Sequence, residues 1–346
     1  MSTTGKSVFL IGPGYIGLEI IDRLLENGYN VSAMTRREDA AKGLQQSGVK
    51  PVMGSLGDSD IITRNTAAND ITIHCATADD FPSVEAVIAG VDQRASEGKH
   101  TVYIHTSGTS FLSDESNGEY KSDMVFSDNH PEDMDARPDS SSHRGIDLTV
   151  IRARNRLGTK AKIFLMLPPL IYGANKHNLL SIQIITMARF AIKHKYAGYA
   201  GGGKSVWKPI HVADLSRGYL TMLQWLEQSP PETALEHPYF FCENGTEIAW
   251  GEAASIIGDE LKAAGVISDS TPRQIPENQY DDLFGMYTNV VIAQNSRCKA
   301  DRLRDLGWQP KHFSVRDAFK HEELPILLKD KSEFKGYAKP AASGSG

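Results

Sequence analysis

The chain has 346 residues, and 37 Lys+Arg against 43 Asp+Glu leave a formal net charge of −6. With 40% hydrophobic and 23% charged residues it reads as an ordinary globular chain, long enough at about 150 residues per domain for two lobes. The mild acidity argues against a nucleic-acid partner, and no apolar run approaches the ~18 residues that span a membrane. Cys75, Cys242 and Cys298 stand far apart with no CxxC, which predicts neither a disulfide framework nor a zinc site. The opening MSTTGKSVFLIG has no basic and apolar leader pattern, so a cytoplasmic location is expected.

Ser7–Ile11 is an apolar run that stops at a glycine, and it predicts a strand. Tyr15–Asn27 follows with Ile16, Ile20 and Leu24 at helical spacing. Strand and helix runs then alternate: Asn30–Thr35, Glu38–Gln46, Val49–Met53, a helix near Ser59–Thr66, Ile71–Cys75, a helix near Ser83–Ala95, and Thr101–His105. This alternation predicts an α/β fold, a Rossmann-type doubly wound parallel sheet with helices on both faces. Leu112–Ser142 breaks the pattern, with nine acids, two basic side chains and two prolines. It reads as a solvated surface excursion, the alternative being a lid over the site. Beyond it, His143–Leu157 is helical, and Ala161–Leu167 is a strand leading into Pro168-Pro169. Leu179–Lys195 is an amphipathic helix, and a glycine run at Gly201–Gly203 precedes a strand at Trp207–His211. Ala213–Glu227 is helical, Tyr239–Cys242 a strand, Trp250–Ala264 a helix and Lys299–Leu306 a last helical stretch. Ala341–Gly346 reads as a flexible tail.

Gly12-Pro13-Gly14-Tyr15-Ile16-Gly17 spells GxGxxG between a strand and a helix. Glycine lets the turn close and lets backbone N–H groups approach a pyrophosphate. The helix N-terminus adds unpaired donors and a partial positive charge, so the pattern in this context predicts dinucleotide binding. NAD-binding chains usually place an acid after the second strand to hold the ribose 2′-hydroxyl. This chain has Thr35-Arg36-Arg37 there. Two guanidiniums suit a 2′-phosphate and can stack on adenine, so NADP(H) is expected over NAD(H).

Further motifs run in order along the chain. They are Gly14-Tyr15-Ile16-Gly17, Gly54-Ser55-Leu56-Gly57-Asp58, Ile73-His74-Cys75-Ala76 and His105-Thr106-Ser107-Gly108. Leu167-Pro168-Pro169-Leu170-Ile171-Tyr172-Gly173, Pro209-Ile210-His211-Val212-Ala213-Asp214-Leu215 and Leu306-Gly307-Trp308-Gln309-Pro310 follow. Together they resemble the extended and atypical short-chain dehydrogenase/reductase superfamily, in its NAD(P)-dependent epimerase-like and NmrA-like fungal branches. The glycine motif contributes Gly12, Gly14, Tyr15, Ile16 and Gly17 to the expected cofactor site, and the second strand contributes Arg36 and Arg37. The resemblance adds Ser55, Cys75, Ala76, Thr106, Pro168 and Ile171. It also implies a dinucleotide-binding domain at 1–175, to which 206–228 and 239–242 return. A smaller α/β substrate lobe would come from 176–205 and 245–335, with a tail at 336–346.

That superfamily's oxidoreductases use Ser, Tyr and Lys, the last two spaced YxxxK on a helix so that the lysine lowers the phenol pKa. Ser107 keeps the serine position. The helix expected to carry YxxxK reads His143-Arg144-Gly145-Ile146-Asp147, which puts His143 and Asp147 in place of Tyr and Lys. A carboxylate one turn away can raise an imidazole pKa and favour a protonated donor. Alternatively, His143 belongs to a helix start capped from Ser140–Ser142. The literal YxxxK is Tyr172-Gly173-Ala174-Asn175-Lys176; its Gly and Asn predict a loop, leaving Tyr172 as a pocket residue or an alternative proton donor. Ser107 is expected to hydrogen-bond a substrate carbonyl or to contact the cofactor, and His211 to be structural.

Eleven scattered histidines show no ligand spacing, so no metal is expected, and the missing GxSxG argues against a hydrolase elbow. The chain therefore reads as an NADPH-dependent reductase of a carbonyl or conjugated ketone in a small organic molecule, acting as a monomer or homodimer. The alternatives are a cofactor-binding regulator without turnover and a non-redox isomerase or epimerase on the same scaffold.

Overall fold

The computed structural model describes residues 5–330, 334 and 336–337, so the expected tail at 341–346 lies outside the described residues. Seven strands form the central sheet: β1 (Ser7–Ile11), β2 (Asn30–Thr35), β3 (Lys50–Met53), β4 (Ile71–His74), β5 (Val102–Thr106), β6 (Lys162–Leu167) and β7 (Tyr239–Phe241). Their order is β7-β6-β5-β4-β1-β2-β3, and every neighbouring pair is parallel. The chain winds outward from β1 in one direction and from β4 in the other. This reversal opens a crevice at the carboxyl ends of β1 and β4, where doubly wound sheets bind ligands.

Helices α1 (Tyr15–Glu26), α2 (Glu38–Gln46), α3 (Ser59–Ala68), α4 (Phe81–Ser96), α5 (Arg144–Leu157), α6 (Gln183–His194), α7 (Val212–Gln228) and α8 (Trp250–Ala263) complete the frame. Side chains alternate across the sheet with the two-residue period of a strand. Val8, Leu10, Ile71 and Ile73 point to the face covered by α1 and α7, and Phe9, Ile11, Tyr103 and Leu165 to the other. Both faces are covered, so β6 is buried along its whole length, as continuous apolar strands of a parallel sheet require. A third apolar cluster, with Phe190, Trp250, Ile257 and Phe319, is built from α6, α8 and the turns near the C-terminus. No helix among the described residues is long and apolar enough to cross a membrane.

The segment 112–142 is largely exposed, as expected of a surface excursion, but it is anchored to the body of the protein at a few buried positions. Phe126–Ser127 pairs in parallel with Cys298–Lys299, and Phe126 and Met134 are buried against the sheet. The fully buried Asp128 carboxylate accepts from the backbone N–H groups of Phe241, Asp301 and Arg302. Asn295 Nδ2 donates to Asp114, Ser116 and the Tyr120 carbonyl. Asp114 and Asp128 thus serve as acceptors for donors that the packing would otherwise leave unpaired, while the other seven acids of the segment are exposed. The expected strand at Trp207–His211 is two short ones: Val206–Trp207 pairs with Ile248–Ala249, and Pro209–His211 with Leu170–Tyr172. The last helical stretch shortens to Asp301–Asp305 because Cys298–Lys299 is already a strand.

Candidate active site

Gly12, Gly14 and Gly17 do three different jobs in the β1–α1 turn. Gly12 has φ +98°, and a Cβ there would stand 2.4 Å from the Ala76 backbone. A Cβ on Gly17 would stand 2.0 Å from the Gly12 carbonyl oxygen and 3.1 Å from Cys75 Sγ. A Cβ on Gly14 would meet nothing within 4 Å. The outer two glycines close the turn onto the end of β4, and the middle one keeps its outer side open. Gly14 stands at the start of α1, with no side-chain cap and no acid in the first turn. Open space, uncapped backbone donors and a positive helix end fit a dinucleotide pyrophosphate.

The remaining expected cofactor residues divide. Cys75 Sγ reaches the Gly12 carbonyl at 3.4 Å, and burial pushes its thiol up to about 12. With Ala76 it therefore backs the glycine turn as an un-ionised group. Ile16, in the first turn of α1, is partly buried and packs against the core. Arg36 and Arg37 are exposed at the end of β2, and Arg37 lies 3.7 Å from Asp39. Ser55 Oγ donates to Asp58 at 2.8 Å within its own turn. The buried Thr106 hydroxyl shares a 2.6 Å hydrogen bond with Tyr219, and the Pro168 carbonyl accepts from Thr109 N–H. Ile171 is half-buried in its short strand. The Tyr15 hydroxyl donates to the Gly173 carbonyl at 2.6 Å.

Ser107, His143 and Asp147 come together where β5 ends against the start of α5. Ser107 Oγ donates to Asp147 Oδ2 at 3.0 Å, and both residues are buried. Burial raises the Asp147 carboxyl to about 6, against the pull of His143, the Ser107 hydrogen bond and Arg144. Asp147 does not pair with His143 directly. His143 Nδ1 instead lies 2.6 Å from Asp79 Oδ1, in the loop between β4 and α4. Burial alone would lower the imidazole pKa, but the hydrogen bond and charge of Asp79, with the Asp147 charge behind them, hold it above the usual histidine range. His143 precedes α5 in the left-handed region, φ +65°, and its side chain makes no capping bond. A non-glycine residue held there costs on the order of 1–3 kcal/mol. The turn delivers the ring beside Gly108, where a Cβ would stand 3.5 Å from His143 Nε2.

Asp79 is the site residue that sequence spacing did not find. Its signal was a carboxylate in the Thr77-Ala78-Asp79-Asp80 run just past the end of β4.

Tyr172 lies apart from this group. Its hydroxyl donates to the His312 carbonyl at 2.9 Å and accepts from Asn244 Nδ2 at 3.1 Å, and burial raises its pKa. Gly173, at φ +88°, ends any helical path from Tyr172 to Lys176. Lys176 Nζ pairs with Glu26, 3.1 Å away on α1. Tyr172 and Lys176 thus form no dyad, and the phenol ties the loop to the C-terminal segment.

Comparison with known proteins bears on the family and the fold. An NAD(P)H-binding family model matches residues 12–155. The oxidase ucsJ of Acremonium is 30% identical over 328 residues, covering 88% of this chain and 93% of its own. The UDP-glucose 4-epimerase of Thermotoga maritima superposes with a TM-score of 0.63 at 14% identity, over 93% of this chain and 99% of that one. The yeast methylglyoxal/isovaleraldehyde reductase Gre2, solved with NADPH, gives 0.59 at 14% identity, over 93% and 98%. The chain belongs to the extended short-chain dehydrogenase/reductase superfamily, a family of NAD(P)-binding oxidoreductases and epimerases.

Proposed function

We propose that the protein is an NADP(H)-dependent reductase of a carbonyl or conjugated ketone in a small organic molecule, with His143 as proton donor. One observation carries this reading. His143 is held at Nδ1 by Asp79, while Nε2 has no partner among the described residues and lies beside Gly108 at the end of β5. Bound in the glycine cradle, the dinucleotide supplies hydride to the carbonyl carbon. His143, protonated at Nε2, gives its proton to the oxygen that becomes the alcohol. Asp79 keeps the Nδ1–H donated and stabilises the imidazolium until it is spent. Ser107, whose hydroxyl proton goes to Asp147, cannot donate to the carbonyl at the same time; it offers lone pairs to a substrate hydroxyl. Arg36 and Arg37 are the residues assigned to the 2′-phosphate.

The test is a fluorescence titration with NADPH, NADP+, NADH and NAD+, followed by NADPH oxidation with a panel of aldehydes and ketones. Phosphate-dependent binding with turnover on any member supports the reading. Equal binding of both oxidation states with no turnover across the panel overturns it in favour of a cofactor-binding regulator, the role that a missing Tyr–Lys pair would allow.

A further inference from the structure

A polar stripe lies behind Ser107. Tyr103, His105 and Ser107 occupy alternate positions along β5 and its end, so they share one face. Tyr103 and His105 are fully buried, where a parallel strand ordinarily carries aliphatic side chains. On the neighbouring strand, the equally buried His74 is the register partner of His105, with ring centroids 5.4 Å apart.

Each ring has one nitrogen engaged. Tyr103 Oη lies 3.1 Å from His105 Nδ1, and His74 Nε2 lies 3.0 Å from Ser83 Oγ. Ser83 Oγ already donates its single proton to the Asp80 carbonyl at 3.1 Å. With Ser83 holding that bond, His74 donates through Nε2, which leaves Nδ1 an acceptor. His74 Nδ1, His105 Nε2 and Asp147 Oδ1 are all buried without a hydrogen-bond partner among the described residues. Register and hydrogen bonding place them on one side of the sheet: His74 is paired with His105, and Asp147 holds Ser107, two positions along the same stripe.

We propose that His74 Nδ1, His105 Nε2 and Asp147 Oδ1 bind one internal water, which makes both histidines positioning residues for Asp147 and, through it, for Ser107. The hydrogen count closes in one arrangement. His105 accepts from the Tyr103 hydroxyl at Nδ1 and donates Nε2–H to the water. The water's two protons go to His74 Nδ1 and Asp147 Oδ1, giving it three polar partners, the usual number for a buried water. The opposite His105 tautomer leaves the Tyr103 proton without an acceptor and offers the water three acceptors for two protons. Burial keeps both rings neutral, His74 down to about 4 and His105 well below the ordinary histidine value, so this pattern persists through neutral pH.

The catalytic consequence rests on the reductase reading, but the water itself does not. The test is therefore made without turnover. Long-range ¹H–¹⁵N correlation spectra of the intact protein, labelled at histidine, report the tautomers, and both rings are expected as neutral Nε2–H forms at pH ~7. Carboxyl ¹³C spectra report the titration of Asp147, which is faced by Ser107, His143, Arg144, Asp79 and Tyr103. Removing the donor behind the water in His105→Leu is expected to move the Asp147 midpoint upward by roughly one pH unit. His105→Gln keeps an N–H donor and is expected to restore it. A His105 Nδ1–H tautomer, or an unmoved Asp147 midpoint in a folded His105→Leu protein, overturns the proposal. Should His105→Leu fail to fold, the tautomers of the unmodified protein decide.

Discussion

His143 combines a left-handed backbone, a carboxylate partner on one nitrogen and a second nitrogen without a partner among the described residues. These suit a proton donor: the turn fixes the ring's direction, the charge favours the imidazolium, and the open atom can act. His143→Gln is expected to lower kcat by about 10²–10⁴ while leaving the NADPH Kd unchanged, measured by NADPH oxidation and fluorescence titration. The pH profile follows from the raised imidazole pKa. The protonated donor is present at low pH and is lost as pH rises through that pKa, so kcat/KM falls on the alkaline side. Asp79→Asn removes the charge that raises it, and the falling limb is expected to move to lower pH. A limb that stays in place would give the titration to another group. At the other end of the crevice, Arg36→Ala with Arg37→Ala is expected to weaken NADPH by about 10–100-fold and NADH by much less, since each charged hydrogen bond is worth about 1.5–3 kcal/mol. Matching losses for the two cofactors would remove the arginines from the 2′-phosphate.

The turn from β1 into α1 separates packing from binding. A methyl on Gly17 would collide with the Gly12 carbonyl, at 2.0 Å, whereas one on Gly14 has open space. Gly17→Ala is therefore expected to lower Tm by several degrees, at an overpacking cost of about 1–3 kcal/mol, along with cofactor affinity. Gly14→Ala is expected to leave Tm in place and weaken NADPH alone, because its methyl occupies the side from which a phosphate approaches. Calorimetry beside titration distinguishes the two, and a large Tm loss in Gly14→Ala would contradict the open geometry. The loop after Tyr172 is fastened along the same helix. Gly173, Asn175, Lys176 and His177 bond to Tyr15, Glu19, Glu26 and Asp22, residues one helical face apart in steps of three and four. The loop that follows the Leu170–Tyr172 strand and the helix that begins the cradle are thus held as one element.

Across the whole molecule, the C-terminal turn closes on this loop. Glu322 pairs with His211 at 2.9 Å and accepts from Ala174 N–H at 3.1 Å. Glu323 is fully buried, its Oε1 accepting from Ser181 Oγ at 2.7 Å. Burial first, and the neighbouring Glu322 charge after it, raise the Glu323 carboxyl to about 7. An unfolded glutamate titrates near ~4.3, so the folded protein binds this proton more tightly. The stability it lends is complete below pH ~4.3 and is lost as pH rises through the folded pKa. Glu323→Gln keeps an acceptor for Ser181 and has no proton to lose. Relative to the unmodified protein, it is expected to gain stability on the order of 2–3 kcal/mol between pH 5 and pH 8, followed by denaturant unfolding at both pH values. An equal difference at both would show that Glu323 is already ionised in the fold.

Local pattern alone determined the alternating strands and helices of the sheet and the glycine cradle, because strand alternation, helical spacing and glycine's permitted angles are properties of neighbours in the chain; the serine at the end of β5 was singled out by the family resemblance. The same local rule set Asp147 beneath His143 at one helical turn. Only the folded chain could show that Asp147 turns to Ser107 and that His143 takes Asp79, 64 residues away. The literal Tyr172–Lys176 spacing failed for a related reason: Gly173 breaks the helix that would make the spacing meaningful. Composition placed most acids of 112–142 at the surface, where they are, and missed Asp114 and Asp128, since whether a carboxylate meets water or a buried N–H depends on what packs over it. Asp128 is met by donors from β7 and from the helix at Asp301–Asp305. Residues near in sequence obey geometry that the chain carries with it, whereas hydrogen-bond partners across the crevice exist only after tertiary packing has excluded water and left each donor to find an acceptor.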